Sequence, residues 1–139
     1  CCPTLGHALP VVLLNALDTM RALASQGEVL NFAAGDLIFR SGEIGACMFG
    51  VLEGTVELSW NGEAAHEQIQ AGDVFGAGVL VTSEHRRYGN AKAVSPCRVL
   101  VMNREKFLFA VQESPMFAIE LLGSIDQRLR QLKDCTKNL

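Results

Sequence analysis

Met48-Phe49-Gly50-Val51-Leu52-Glu53-Gly54-Thr55-Val56-Glu57-Leu58-Ser59-Trp60-Asn61-Gly62 reads as two short β-prone runs, broken at Glu53-Gly54 and closed by Asn61-Gly62. Apolar, β-branched and aromatic residues in short runs bounded by glycine fit strands rather than helix. Asn61-Gly62 is the strongest hairpin signal, because both residues tolerate the positive φ of a two-residue turn. The same texture extends from Glu28 to Met102. Further turn signals stand at Ala34-Gly35-Asp36, Ser41-Gly42-Glu43 and Ala71-Gly72-Asp73, so turns fall every seven to ten residues. Leu37-Ile38-Phe39 and Arg98-Val99-Leu100-Val101-Met102 are two more clear strands. This spacing predicts a compact sandwich or barrel of short antiparallel strands.

On both sides the hydrophobic period changes. Leu13, Leu14, Leu17, Met20 and Leu23 recur at helical spacing until Gly27, which predicts an amphipathic helix over 12–26. After Met102, Asn103 is placed to cap a short helix through Phe107 and Val111, and Ser114-Pro115 restarts a longer one from Met116 to Asp134. Within it Ala118, Leu122, Ile125, Leu129 and Leu132 follow steps of four, three, four and three, a coiled-coil seam. Phe117, Ile119 and Leu121 add a second apolar face. The helix therefore reads as packing on its own strand region and on a partner, and a homodimer through 116–134 is expected.

A chain of 139 residues, 49% hydrophobic and 19% charged, suits a single ordinary globular domain. No apolar run reaches membrane-spanning length, so no membrane association is expected. The net charge of −3 speaks against general nucleic-acid binding, and no basic recognition helix follows the strands. Charge is nevertheless uneven. Glu28 to Asp73 holds eight acids and the single base Arg40, whereas Arg86, Arg87, Lys92, Arg98, Arg104 and Lys106 face only Glu84 and Glu105. The five cysteines include no Cys-x-x-Cys pair, so neither a disulfide framework nor a metal site is expected. Cys47 and Cys97 read as small buried hydrophobes. The chain starts without methionine or a basic-plus-apolar leader, which reads as a processed product of the cytoplasm.

The positive region adjoins Phe75-Gly76-Ala77-Gly78-Val79-Leu80, with Arg87 seven residues further on. Glycines at 76 and 78 let successive amides face one concavity, a helical turn through Val79 to Val81 would add its positive end, and Arg87 would supply a planar fork for phosphate oxygens. A plain tight turn and a solvated loop arginine are the alternatives. His7, His66 and His85 are far apart, and no nucleophile motif or paired carboxylate accompanies them. The chain does not read as an enzyme, and no cofactor is implied.

Taken together, Ala34-Gly35-Asp36, the run Gly50 to Leu58, Ala71-Gly72-Asp73-Val74-Phe75-Gly76 and the run Ala93 to Phe107 resemble the cyclic nucleotide-binding domain family. Bacterial catabolite activator-like regulators, protein kinase A regulatory subunits and cyclic-nucleotide-gated channels belong to that family. The resemblance implies one mainly β domain over 10–135. It would be a double-stranded β-helix, jelly-roll-like β-roll (28–102) with an N-terminal helix (12–26) and two closing helices (103–135). It also implies a small-molecule sensor binding cyclic AMP or cyclic GMP through Phe75, Gly76, Ala77, Gly78, Val79, Arg87 and Tyr88. In the family a glutamate follows Phe-Gly and binds the ribose 2′-hydroxyl, and here that position is Ala77. A small residue usually follows the arginine, and here Tyr88 stands there to stack on a base or plug the pocket. Where catabolite activator-like members hold polar purine contacts, this chain has Leu132 and Lys133. Weak nucleotide binding is implied, or else a fold that binds no nucleotide and serves as a dimerisation and protein-interaction module.

Overall fold

The computed structural model describes residues 15–23 and 27–137. In chain order these hold α1 (Ala16–Leu23), β1 (Glu28–Phe32), β2 (Leu37–Phe39), β3 (Cys47–Glu53), β4 (Thr55–Trp60), β5 (Ala65–Gln70), β6 (Val74–Phe75), α2 (Gly78–Val81), β7 (Asn90–Ala93), β8 (Cys97–Asn103), α3 (Arg104–Glu113) and α4 (Pro115–Lys137). The strands form two antiparallel four-stranded sheets, in the orders β1-β8-β3-β6 and β2-β7-β4-β5. These are the short antiparallel strands that the turn spacing predicts, in the β-roll with flanking helices that the resemblance implies.

Alternation along the strands explains the layering. In β8, Cys97 and Val99 join a core between the sheets with Phe49, Val51 and Phe75, while Leu100 and Met102 turn to a second core with Met20, Met48 and Phe117. The first sheet is covered on both faces, which is why β3 and β8 read as nearly continuous apolar runs. The hairpin at Asn61-Gly62 forms, but with four loop residues instead of two. Trp60 pairs with Ala65, and Asn61, Gly62 and Glu63 all take positive φ. A third left-handed residue is what the dipeptide signal could not reveal.

α1 begins with a reciprocal cap, Asn15 Oδ1 accepting from the Asp18 amide (2.9 Å) and Asp18 Oδ2 from the Asn15 amide (3.2 Å). The rest of the helix expected over 12–26 lies outside the described residues, as do Cys1, Cys2 and His7. Asn103 caps α3 by accepting from the Lys106 amide at 2.8 Å, and Pro115 opens α4. Phe117 and Leu121 of α4 are buried, and Glu120 accepts a hydrogen bond from the Thr19 hydroxyl of α1 (2.6 Å). Ile119 does not share that inner face. It is exposed together with Leu122, Ile125 and Leu129. Among the described residues no single helix is long and apolar enough to cross a membrane.

Candidate functional site

Two glycines shape a slot for one guanidinium. Gly76 follows β6 with φ +79, and a Cβ there would lie 2.8 Å from Arg87 Nη1. A Cβ on Gly45 would meet Arg87 Nε at 2.5 Å. Any side chain at either position would displace the arginine, and at 76 the backbone conformation adds strain. Gly78 is different, since nothing lies within 4 Å of its missing Cβ. It opens the short helical turn α2, whose Val79 and Leu80 are buried. The far end of that turn is tied down twice, by His85 Nδ1–H donating to the Val79 carbonyl (2.6 Å) and by Arg104 Nη1 donating to that of Leu80.

Arg87 fills the slot at 6% exposure. It reaches inward because its segment pairs with the loop at 42–45. Its amide donates to the Glu43 carbonyl, its own carbonyl accepts from Gly42, and Ile44 bridges Arg86. Alternation then sends Arg86 and Tyr88 outward. The guanidinium donates from Nη1 to the Gly76 carbonyl (2.7 Å) and from Nη2 to the Cys47 carbonyl (2.6 Å). Its carbon lies 4.2 Å from the Phe39 ring centroid and 5.4 Å from that of Phe49, within cation–π range. Burial lowers the Arg87 pKa from its ordinary value, with Cys47 and Glu43 acting in opposition. Burial likewise pushes the Cys47 thiol up, against a smaller pull from Arg87. Among the described residues the ion pairs involve His66, Arg98, Arg128 and Arg130, and Arg87 takes part in none.

Beside Arg87 a cleft of about 900 Å³ runs across the second sheet, from Phe39 on β2 past Leu58 and Trp60 on β4 to Glu67 on β5. Of the residues expected from sequence, Gly76, Gly78, Val79, Arg87 and Tyr88 line it. Tyr88 is 82% exposed, so it stands at the rim and leaves the cleft open. Phe75 and Ala77 are elsewhere. Phe75 is buried and stacks on Phe49 with ring centroids 5.2 Å apart. Ala77 packs toward the helix-side core and lines a neighbouring cleft of about 300 Å³ against Leu121, Ile125 and Leu129 of α4. Leu132 borders both clefts.

Sequence reasoning missed the pair that also borders both clefts. Arg128 of α4 donates to Glu67 from Nε (2.7 Å) and Nη2 (2.9 Å), and its Nη1 reaches the Val74 carbonyl at 3.4 Å. A signal for each partner was present. Glu67 shares a strand face with Ala65 and Ile69, and Arg128 falls seven residues after buried Leu121 on the inner face of α4. The slot residues Gly45 and Cys47 carried no comparable signal.

The profile of the cyclic nucleotide-binding domain matches residues 29–114. A search of curated proteins finds no match. Among solved structures, the catabolite activator protein of Thermus thermophilus aligns with a TM-score of 0.70 at 22% identity, over 97% of this chain and 62% of that one. The chain thus spans less than two-thirds of that regulator. A protein solved in work on a cyclic-GMP-dependent signalling pathway that regulates bacterial phytopathogenesis aligns at TM-score 0.70 and 26% identity, covering 89% of this chain and 98% of that one. A transcriptional regulator from Thermotoga maritima aligns at TM-score 0.69 and 18% identity, over 84% and 94% of the two chains.

Proposed function

Because the chain belongs to the cyclic nucleotide-binding domain family, we propose that it is a regulatory sensor taking cyclic AMP or cyclic GMP into the larger cleft, with the cyclic phosphate at Arg87. One observation carries this reading: Arg87 is a buried cation that, among the described residues, has no carboxylate at ion-pair distance. Its hydrogen bonds end on the Gly76 and Cys47 carbonyls and on the Cys47 sulfur, which orient the guanidinium without an ion pair. A desolvated charge of this kind is stabilised by an incoming anion, and Nε with the unused hydrogens of the fork remains to donate to phosphate oxygens. Gly76, Gly78, Val79 and Tyr88 form the adjoining wall and rim, with Phe75 and Ala77 supporting the turn from behind. The protein acts by binding and not by catalysis, in the cytoplasm and through a protein partner.

Affinity should be low. With Ala77 at the ribose position, a sugar hydroxyl left without its acceptor costs about 1–3 kcal/mol, roughly ten- to hundredfold in affinity. Calorimetry with cyclic AMP and cyclic GMP tests the reading. A submicromolar Kd would remove the weak-affinity part, and absence of both binding heat and thermal stabilisation would remove nucleotide sensing altogether.

The second reading, a dimerisation and interaction module without nucleotide, is favoured by α4, where Leu122 is 66% exposed and Ile125 and Leu129 46% each. A homodimer through this seam is compatible with either reading. Light scattering should give twice the chain mass, and Leu122→Asp with Leu129→Asp should give monomers, since charges would enter an apolar seam. An unaltered chain that stays monomeric at high micromolar concentration rejects the dimer.

A further inference from the structure

Arg86 and Arg87 are adjacent and carry the same guanidinium, so a one-residue slip of their segment would exchange them in the slot. What holds the register lies directly before them. Thr82, Ser83 and Glu84 are exposed, and His85 is the first residue after them to be partly buried, followed by exposed Arg86, buried Arg87 and exposed Tyr88. The φ of His85 is +55, and among the described non-glycine residues only Asn61 and Glu63, both in the turn between β4 and β5, are also positive. Histidine enters this left-handed region more readily than most residues, but stays there only where its surroundings hold it.

Two bonds do so. Nδ1 lies 2.6 Å from the Val79 carbonyl, and because a carbonyl only accepts, this nitrogen carries the proton. The His85 carbonyl accepts from the Gly45 amide at 2.8 Å, beside the Arg87 amide donating to Glu43 at the same distance. The ring thus ties the segment to Val79 in α2, while Arg87 Nη1 ties it to Gly76 just ahead of that turn. Both ties are met when residues 85 and 87 face the turn together, which alternation allows and a one-residue slip does not. Arg86 is meanwhile held outside, its Nη1 donating to the Gly42 carbonyl at 2.8 Å. His85 does not border the cleft, so it acts on a ligand only through Arg87. We infer that His85 is a positioning residue, whose ring bond to Val79 and left-handed backbone fix the register that puts Arg87, and not Arg86, in the slot. Its consequence for nucleotide affinity rests on the function proposed above, whereas the register itself does not.

Two substitutions separate backbone from ring. His85→Asn tolerates the left-handed conformation and sets an amide N–H at the same bond distance from Cβ as Nδ1, whereas His85→Gly takes the conformation freely and offers no donor. Phenylglyoxal labelling mapped by peptide fragmentation reads the register without any ligand. In the unaltered chain and in His85→Asn, Arg86 should react and Arg87 should be protected, and His85→Gly should lose that protection. Cyclic nucleotide affinity in calorimetry should fall about tenfold in His85→Gly and stay within about threefold of the parent in His85→Asn. Arg87 still protected in His85→Gly overturns the inference, as does His85→Asn labelling like His85→Gly. Lost protection with unchanged affinity supports the register role and removes Arg87 as the phosphate ligand. If no nucleotide binds the unaltered chain, sensing falls and the labelling still decides the register. Circular dichroism establishes that each variant is folded. Should His85→Gly fail to fold, ring-nitrogen NMR of the unaltered chain decides: the Nδ1–H form of His85, assigned by its loss in His85→Asn, is expected, and the Nε2–H form overturns the ring bond.

Discussion

Arg87 and Arg128 line one cleft in opposite electrical states. Arg128 is held by the two oxygens of Glu67, so the pair is nearly neutral from a distance and its field falls off quickly. Arg87 is more deeply buried and bonded to carbonyl oxygens and the Cys47 sulfur, with no ion pair to cancel its charge. At an effective dielectric constant of about 20, a unit anion 4 Å from such a charge gains about 4 kcal/mol before its own desolvation is counted. A neutralised fork gives little attraction but keeps strict directions for its remaining hydrogens. One arginine therefore offers an anion a charge with no ion-pair partner, and the other offers a directed but largely neutralised group.

The largest expected effect comes from removing the uncancelled charge. Arg87→Gln should lower cyclic nucleotide affinity by about a hundredfold or more in calorimetry, while urea unfolding shows little loss of stability, because a desolvated charge disappears with it. Binding within about tenfold of the parent would break the contrast between the two arginines, since affinity would then not depend on that charge. Next is the slot. Gly76→Ala should destabilise by about 1–3 kcal/mol in chemical denaturation, whereas Gly78→Ala, with open space and no positive φ, should change stability by less than about 1 kcal/mol. Ala77→Glu should strengthen nucleotide binding about tenfold by supplying the missing hydroxyl acceptor. No gain would mean that position 77, set in the smaller cleft, does not reach the sugar.

The smallest effect is chemical. Burial raises the Cys47 thiol, so the neutral form is favoured on folding. Its contribution to stability is complete below the ordinary value of 9.0 and is lost as pH rises above that toward the folded value. Alkylation followed by peptide mass spectrometry should therefore find Cys47 slower than exposed Cys135 near pH 8. Nucleotide bound at Arg87 should slow it further, because an anion cancels the charge that favours the thiolate. Acceleration by ligand would place the phosphate elsewhere.

How much of this was legible in the sequence follows from how local each feature is. Strand positions were, because glycine turns and period-two alternation act within a few residues, and Asn103 and Pro115 marked helix starts for the same reason. The relation of Gly76 to Arg87 was visible as a spacing. The choice of Arg87 over Arg86 came from that spacing alone, and its physical cause, pairing with the loop at 42–45 more than forty residues away, was not visible. Glu67 and Arg128 lie 61 residues apart in different kinds of element. Only the two inward faces, read together, could have suggested that they meet. Ala77 shows the reverse, a residue singled out with the turn whose side chain packs against the helix-side core, right after the positive φ of Gly76.

α4 is at once a wall of the cleft, through Arg128 and Leu132, and an outer surface, through Leu122, Ile125 and Leu129. Occupancy on its two sides is then subject to thermodynamic reciprocity: if a protein seated on the outer seam tightens ligand binding tenfold, ligand tightens that association tenfold, about 1.4 kcal/mol in each direction. In a symmetric pair with two clefts the factor would be squared. The oligomeric state would then vary with nucleotide concentration, and an affinity measured at one protein concentration would not describe another.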